Sequence, residues 1–174
     1  MSIIQDTAIS IGLIKPKSPT NVGAVMRAAG CFRAGAVFYT GSRYDRAAKF
    51  STDTKDVNQS IPLTCVGHLL DALPDNTQVV CIELVEGATP LPDYRHPHRA
   101  YYIFGPEDGT IDQALIDRAD AVVYIPTVGS LNLAAAVNVV LYDRLSKSGR
   151  DHTGDELIRQ SKDTNNTIKL KSRN

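Results

Sequence analysis

The chain has 174 residues, 43% of them hydrophobic and 22% charged, a composition that fits one globular domain with a sizeable core. No apolar run approaches the roughly 18 residues that a membrane-spanning helix needs, and no basic N-terminal region precedes an apolar core, so we expect neither a membrane anchor nor a signal peptide. The formal net charge is zero, which argues against a protein that holds nucleic acid by an overall positive field.

The charges are nevertheless distributed unevenly. Residues 1–55 hold eight Lys or Arg against three Asp or Glu, residues 71–126 hold three against ten, and residues 127–174 hold eight against five. The two basic ends could form a local face that binds phosphate while the chain as a whole stays neutral. An ordinary solvated surface would produce the same pattern, so charge alone leaves both interpretations open.

The three cysteines, Cys31, Cys65 and Cys81, have no metal-binding spacing and lie in apolar stretches. We therefore expect buried thiols in a reducing compartment, which favours a cytoplasmic location. Two histidines in a proline-rich stretch, His96 and His98, lack a cysteine or carboxylate partner at a suitable spacing. We expect a surface loop there rather than a metal site.

The first predicted elements are a strand over residues 8–14, a loop with two prolines, and a helix. Thr20 or Asn21 would cap this helix, and Gly35 would end it. The apolar residues of the helix recur on one side, and Arg27 falls outside that stripe. The sequence therefore predicts that the Arg27 side chain points away from the core.

Apolar runs alternate with helical patterns through the rest of the chain. Residues 41–60 have weak periodicity and predict a mobile segment with a short helix. The further predicted strands cover residues 36–39, 61–66, 78–84, 100–104 and 121–125, and the further predicted helices cover residues 68–73, 110–118, a long stretch after Ser130, and 156–161. Such alternation is typical of an α/β domain with a largely parallel sheet. We expect a single domain over residues 1–150 and a polar, basic tail over residues 151–174.

Three polar segments each follow the end of a predicted strand: residues 21–27, residues 105–109 and residues 126–132. In a parallel sheet the carboxyl ends of the strands lie at one edge, where open α/β proteins bind their ligands. In the last segment, Pro126 ends the strand, and Ser130 is placed to cap the long helix that follows. No Cys or His nucleophile, Walker loop or dinucleotide-binding glycine motif accompanies these segments, so phosphoryl transfer and nicotinamide chemistry are poorly supported.

The three segments carry motifs in a fixed order: N-x-G-x-x-x-R at Asn21, Gly23 and Arg27, F-G-P-E-x-G at residues 104–109, and I-P…S-L-N at residues 125–132. With these motifs the chain resembles the SpoU (TrmH-like) branch of the SPOUT RNA methyltransferases. The resemblance implies a parallel sheet with helices on both faces, whose C-terminal part is threaded into a deep trefoil knot. It also implies a homodimer, S-adenosylmethionine held without a metal, and methyl transfer to a ribose 2′-hydroxyl of RNA, with tRNA favoured and rRNA second.

The resemblance also implies which residues do the chemistry. The catalytic group would be Arg27, Asn21, Glu107, Ser130 and Asn132, with Arg27 acting across the dimer interface. The cofactor would rest on three loops through Glu83, Leu84, Gly105, Pro106, Gly109, Ile125, Ser130 and Leu133. A guanidinium can hold the phosphate beside the target ribose and stabilise the developing alkoxide, whereas its pKa above about 12 makes it a poor base.

Two of the expected cofactor loops depart from the family pattern. Only Asp108 separates Glu107 from Gly109, where the family usually has two residues, and the segment from Pro126 to Ser130 is short. Two rival functions also stay open: methylation of a base nitrogen by an enzyme of the same superfamily, and RNA binding by a knotted protein without catalysis. Retention of the motif residues argues against both.

Overall fold

The structure, a computed structural model, describes residues 8–48, 61–149, 153–162 and 164–170. Within these ranges lie seven strands: β1 Ile9–Leu13, β2 Ala36–Tyr39, β3 Leu63–Cys65, β4 Gln78–Ile82, β5 Thr89–Pro90, β6 Ala100–Phe104 and β7 Ala121–Tyr124. The same ranges contain five α-helices: α1 Pro19–Cys31, α2 Arg43–Ala48, α3 Gln113–Ile116, α4 Leu133–Lys147 and α5 Asp155–Ser161. Two short 3₁₀-helices, Leu69–Ala72 and Leu91–Asp93, lie between the strands.

The seven described strands form one parallel sheet in the order β3-β2-β1-β6-β4-β7-β5. The central strands β1 and β6 pair along their full lengths, from Ile9 opposite Ala100 to Leu13 opposite Phe104. The order places β7 between β4 and β5, which follow one another in the chain, so a later strand is inserted between two earlier ones. The predicted α/β fold with a parallel sheet is therefore confirmed, while the trefoil knot stays a prediction.

Helices cover both faces of the sheet, and each face has its own apolar core. On one face, α1 and α4 pack over residues such as Ile11 and Tyr102. On the other face, Leu69 and Leu115 pack against Tyr101. Strands β1 and β6 are buried along their whole lengths because both of their faces are covered, as in other parallel sheets.

Helix α1 begins earlier than the sequence predicted. Its cap is Ser18, and not Thr20 or Asn21, because the Ser18 hydroxyl accepts the backbone N–H of Asn21 at 3.2 Å. Pro19 occupies the first helical position, where the backbone N–H would have no partner within the helix, so proline loses no hydrogen bond there. The helix then ends at Cys31, before the glycine that was predicted to end it.

The proline-rich stretch of residues 86–99 lies at the surface as the sequence predicted, but it is more ordered than a plain loop. It contains β5, a 3₁₀-helix and His96, whose side chain is only 5% exposed. Nδ1 of His96 lies 2.7 Å from the Tyr102 hydroxyl, and Nε2 lies 2.8 Å from Oδ2 of Asp143. Arg144 donates to the same Tyr102 hydroxyl at 3.1 Å. This network fastens the C-terminal half of α4 to the segment that precedes β6.

The hydrogen-bond network accommodates a neutral His96. In that form the Tyr102 hydroxyl accepts from Arg144 and donates to Nδ1 of His96, and Nε2–H donates to Asp143. Burial lowers the pKa of His96 below its ordinary value, which favours the same neutral form. Within the described ranges, no group of three or more His, Cys, Asp or Glu side chains is placed to hold a metal ion.

Two of the three cysteines are exposed, and the prediction of buried thiols was wrong for them. Cys31 lies on the last turn of α1, and Cys65 lies on β3, the strand at one edge of the sheet. Cys81, in the interior strand β4, is buried, and burial raises the pKa of its thiol to about 12.

The segments outside the sheet agree with the sequence where the structure describes them. Residues 43–48 of the segment predicted as mobile form α2, and residues 49–60 lie outside the described ranges. The tail contains α5 where a short helix was predicted. In the part of the chain that the structure describes, no helix is long and apolar enough to cross a membrane.

Candidate active site

A cavity of about 410 Å³ opens at the carboxyl ends of β4, β6 and β7, beside the start of α4. This volume is in the range of small-molecule sites. The cavity is lined by eleven of the predicted site residues: Asn21, Glu83, Leu84, Gly105, Pro106, Glu107, Gly109, Ile125, Ser130, Asn132 and Leu133. The fold thus brings the three polar segments together at one edge of the sheet, as the strand-end argument predicts.

Arg27 is the predicted site residue that does not line the cavity. It is exposed on α1, whereas its neighbours Val25 and Met26 are buried in the core. No hydrogen bond or ion pair joins Arg27 to another described residue. Gly23 is also exposed on this helix, and a Cβ added there would meet nothing within 4 Å. A single chain therefore presents the Arg27 guanidinium to solvent, outside the cavity that the other catalytic candidates line.

Glu83 connects the loop after β4 with the loop after β6. Its Oε1 accepts the backbone N–H of Leu84 at 2.8 Å, and its Oε2 accepts the backbone N–H of Ile111 at 3.0 Å. A Cβ on Gly105 would lie 3.1 Å from Glu83 Oε2, so glycine lets the chain pass this carboxylate at close range. Hydrogen bonds on both sides hold the carboxylate in the cavity wall.

Glu107 and Asp108 hold the loop that precedes α1. Oε1 of Glu107 accepts the backbone N–H groups of Lys17 at 3.3 Å and Ser18 at 3.2 Å. Asp108 receives two hydrogen bonds from Arg43, at 2.9 Å and 2.8 Å, and lies 3.6 Å from the Lys17 ammonium. The Arg43 guanidinium holds the pKa of Asp108 below its usual range. The shortened loop thus places two adjacent carboxylates against the basic segment at the cavity mouth.

Asn132 both begins α4 and joins it to α1. Its Oδ1 accepts the backbone N–H groups of Ala134 at 2.9 Å and Ala135 at 3.3 Å, so Asn132 is the N-cap. Its Nδ2 donates to Oδ1 of Asn21 at 3.0 Å. The prediction that Ser130 caps this helix was wrong: Ser130 is exposed, and the helix begins after Asn132.

The loop between β7 and α4 forms an exposed rim of the cavity. Gly129 has a φ of 89°, which favours glycine, and the Thr127 hydroxyl donates to the Gly129 carbonyl at 2.9 Å, which closes the turn. Val128, at the tip of this turn, and Leu131 are both exposed. The rim therefore carries apolar side chains that a ligand larger than the cavity would cover.

Lys17 is the charged lining residue that motif reasoning missed. Its sequence signal was its place in a proline-flanked basic loop directly before α1. The apolar lining residues Ile82, Phe104 and Ala136 were not among the predicted site residues, although Phe104 begins the F-G-P-E-x-G motif. The first two end strands that meet at this edge of the sheet, so the strand-end argument could have found them.

The comparisons with known proteins agree with this geometry. Residues 8–142 match the model of the SpoU rRNA Methylase family. A comparison with curated proteins finds no match. Among solved structures, the chain is similar to the A. aeolicus TrmH/SpoU tRNA modifying enzyme, with a TM-score of 0.70 and 17% identity over 88% of this chain and 85% of that one.

Two further structures are similar to the chain. One concerns the 2-OH methylation of C/U34 on tRNA, with a TM-score of 0.65 and 25% identity over 82% of this chain and 97% of that one. The other is the SpoU methyltransferase AviRb from Streptomyces viridochromogenes in complex with AdoMet, with a TM-score of 0.63 and 21% identity over 80% of this chain and 57% of that one. The family match covers more than half of the chain and includes all three motif segments. The chain therefore belongs to the SpoU rRNA methylase family.

Proposed function

We propose that the protein is an S-adenosylmethionine-dependent RNA methyltransferase that modifies a ribose 2′-hydroxyl, with tRNA as the favoured substrate and rRNA as the second. The observation that carries the proposal is a single cavity lined by residues of all three family motifs. Family membership supports the class of reaction. The similarity to a structure that concerns 2-OH methylation on tRNA favours the ribose and the tRNA.

The cavity residues fit an adenosyl cofactor. Ile82, Phe104 and Leu133 give part of the lining an apolar surface, which suits a flat purine. A Cβ on Gly109 would lie 3.1 Å from Cγ of Pro106, so this glycine keeps the loop after β6 compact beside the cavity. When bound, S-adenosylmethionine would supply an electrophilic methyl group on its sulfonium.

The hydrogen bond between Asn132 and Asn21 would prepare the site for the substrate ribose. Because Nδ2 of Asn132 donates to Oδ1 of Asn21, the Asn21 amide is held in one orientation. No hydrogen bond within the described residues uses Nδ2 of Asn21. This donor is available to a substrate oxygen, and a donor fixed before binding stabilises developing negative charge without reorganisation.

Arg27 would reach the site of a second copy of the chain. The exposed face of α1 carries Gly23 and Arg27, and the exposed face of α4 carries Val139 and Tyr142. A twofold dimer through these faces would cover the apolar side chains and bring each guanidinium towards the partner's cavity. There Arg27 would hold the phosphate next to the target ribose in a two-pronged contact and stabilise the alkoxide.

The rest of the chain would support this site in two ways. The position of β7 between β4 and β5 favours the knotted arrangement, and the contact between His96 and Asp143 would fasten α4 behind the inserted strand. Residues 1–150 would then be the catalytic domain and residues 151–174 a basic tail that contacts RNA. An RNA substrate of this kind is consistent with a cytoplasmic location.

Calorimetry with purified protein tests the cofactor and light scattering tests the assembly. We expect S-adenosylhomocysteine to bind in the presence of EDTA, and we expect a particle of twice the 18.9 kDa chain mass. Labelled S-adenosylmethionine should transfer its methyl group to unmodified tRNA. Absence of binding and transfer would contradict the proposed enzyme, and a monomer that still methylates RNA would remove the role of Arg27 across the interface.

A further inference from the structure

The Glu83 carboxylate still has hydrogen-bonding capacity that the protein does not use. An ionised carboxylate can accept about four hydrogen bonds. The described residues supply two, from the backbone N–H groups of Leu84 and Ile111, one to each oxygen. No Lys or Arg within the described ranges forms an ion pair with Glu83. One acceptor position on each oxygen therefore remains, on a side chain that lines the cavity.

The two backbone hydrogen bonds fix the carboxylate before any ligand arrives. Leu84 belongs to the loop after β4, and Ile111 follows the loop after β6, so Glu83 is held from both sides. Gly105, where a Cβ would lie 3.1 Å from Oε2, leaves the space that the carboxylate occupies in this position. Two neighbouring acceptors in fixed positions match two donors on adjacent atoms of a ligand better than they match a single donor.

The other charged groups in the lining are Lys17, on the loop before α1, and Glu107, on the loop after β6. Lys17 is the lone cation among the described lining residues, and its backbone N–H donates to Glu107. An amino-acid end of a ligand, which carries both an ammonium and a carboxylate, is complementary to this pair of opposite charges. Glu83 is then left for neutral donors. A vicinal diol supplies two such donors, and a carboxylate that accepts from ribose hydroxyls is an established way to recognise a nucleoside.

We propose that Glu83 determines specificity for the ribose of the cofactor, with its two oxygens accepting hydrogen bonds from the 2′- and 3′-hydroxyls. This inference rests on the proposed adenosyl cofactor. It predicts a ligand preference that can be measured without RNA and without turnover. A carboxylate that served only to join Leu84 to Ile111 would give no such preference.

The test is a calorimetric comparison of two ligands on two proteins. S-adenosylhomocysteine and its 2′,3′-dideoxy counterpart are titrated into the wild-type protein and into Glu83→Gln. The wild-type protein should bind the ribose ligand at least about tenfold more tightly than the dideoxy ligand, because hydrogen bonds to a charged group are the strong ones. In Glu83→Gln most of this preference should disappear. Any general loosening of the loops would weaken both ligands alike, so the ratio isolates the hydroxyl contact.

Two further measurements complete the test. Glu86→Gln, an exposed glutamate on the same segment, should keep the wild-type ratio. S-adenosylhomocysteine with a dimethylated adenine N6 should bind more weakly than S-adenosylhomocysteine by the same factor in the wild-type protein and in Glu83→Gln. A ratio that Glu83→Gln leaves unchanged, or a dependence on the N6 group instead, would overturn the ribose assignment. If the wild-type protein binds neither ligand, the proposed function fails, which is a different result from binding without a ribose preference.

Discussion

Replacing Asn132 tests the junction between α1 and α4 most sharply. Asn132→Ala removes the N-cap of α4 and the hydrogen bond to Asn21. Loss of a cap typically costs about 1 kcal/mol. The bond to Asn21 adds about 0.5–1 kcal/mol, the lower part of the usual range because both amides are partly solvated. A loss of about 2 kcal/mol in unfolding free energy lowers Tm by about 4–8 °C in a protein of this size.

Two matched variants separate the cap from the contact between helices. Asn132→Asp keeps an oxygen at the cap position and adds a negative charge at the start of α4, which favours the helix. It removes the donor to Asn21 and places two oxygens against each other, so the orientation of Asn21 is lost while the helix is retained. Ser130→Ala should change stability by less than about 0.5 kcal/mol, because Ser130 is exposed and bonds to no described residue.

The stability of the three variants is measured by thermal and guanidinium unfolding, and their activity by a methyl-transfer assay. We expect Asn132→Ala to be less stable and less active, and Asn132→Asp to be nearly as stable as the wild-type protein but less active. Ser130→Ala should retain wild-type stability. Equal destabilisation by Ser130→Ala and Asn132→Ala would refute the assignment of the cap. Wild-type activity in Asn132→Asp would show that the bond to Asn21 does not serve catalysis.

Three other perturbations have expected outcomes. Arg27→Ala should lower the single-turnover rate of methyl transfer about 10²–10³-fold and leave cofactor affinity unchanged. Arg27→Lys should recover little of this rate, because one ammonium cannot reproduce a two-pronged contact. The control is Arg118→Ala, which removes an exposed arginine on the other face of the sheet. Because burial lowers the pKa of His96, the unfolded chain binds more protons, so guanidinium unfolding should show stability rising with pH up to about 6.5 in the wild-type protein and a flatter profile in His96→Gln. Truncation after Ser161 should weaken RNA binding and reduce its salt dependence in filter-binding assays, while calorimetry shows unchanged cofactor affinity.

The positions of the central strands could be predicted because their signal is local. The predicted bounds of β2 and β6 coincide with those in the structure, since each is an uninterrupted apolar run bounded by polar or turn residues. The first residues of the helices were predicted less accurately than the strands, because several residues that can cap a helix lie close together. Ser18 precedes Thr20 and Asn21, and Asn132 follows Ser130, so the choice depends on which residue meets free N–H groups in the folded chain.

The buried state of His96 could not be predicted, because it depends on residues distant in the chain. Its partner Asp143 lies 47 residues away, on α4. The lining of the cavity was easier to predict, since parallel strands place their carboxyl ends at one edge. Arg27 shows the limit of that argument. The helical periodicity predicted that the Arg27 side chain points away from the core, which the structure confirms. In a single chain, however, Arg27 does not line the cavity that contains Asn21.

The most direct test of the proposed function is the position of the transferred methyl group on the RNA. Unmodified tRNA is incubated with the protein and methyl-labelled S-adenosylmethionine, digested with alkali, and analysed by mass spectrometry. A 2′-O-methyl group blocks attack of that oxygen on the adjacent phosphate, so we predict that the label appears in an alkali-resistant dinucleotide. Label on a base within single nucleotides, or no label on any RNA despite bound cofactor, would contradict ribose methylation.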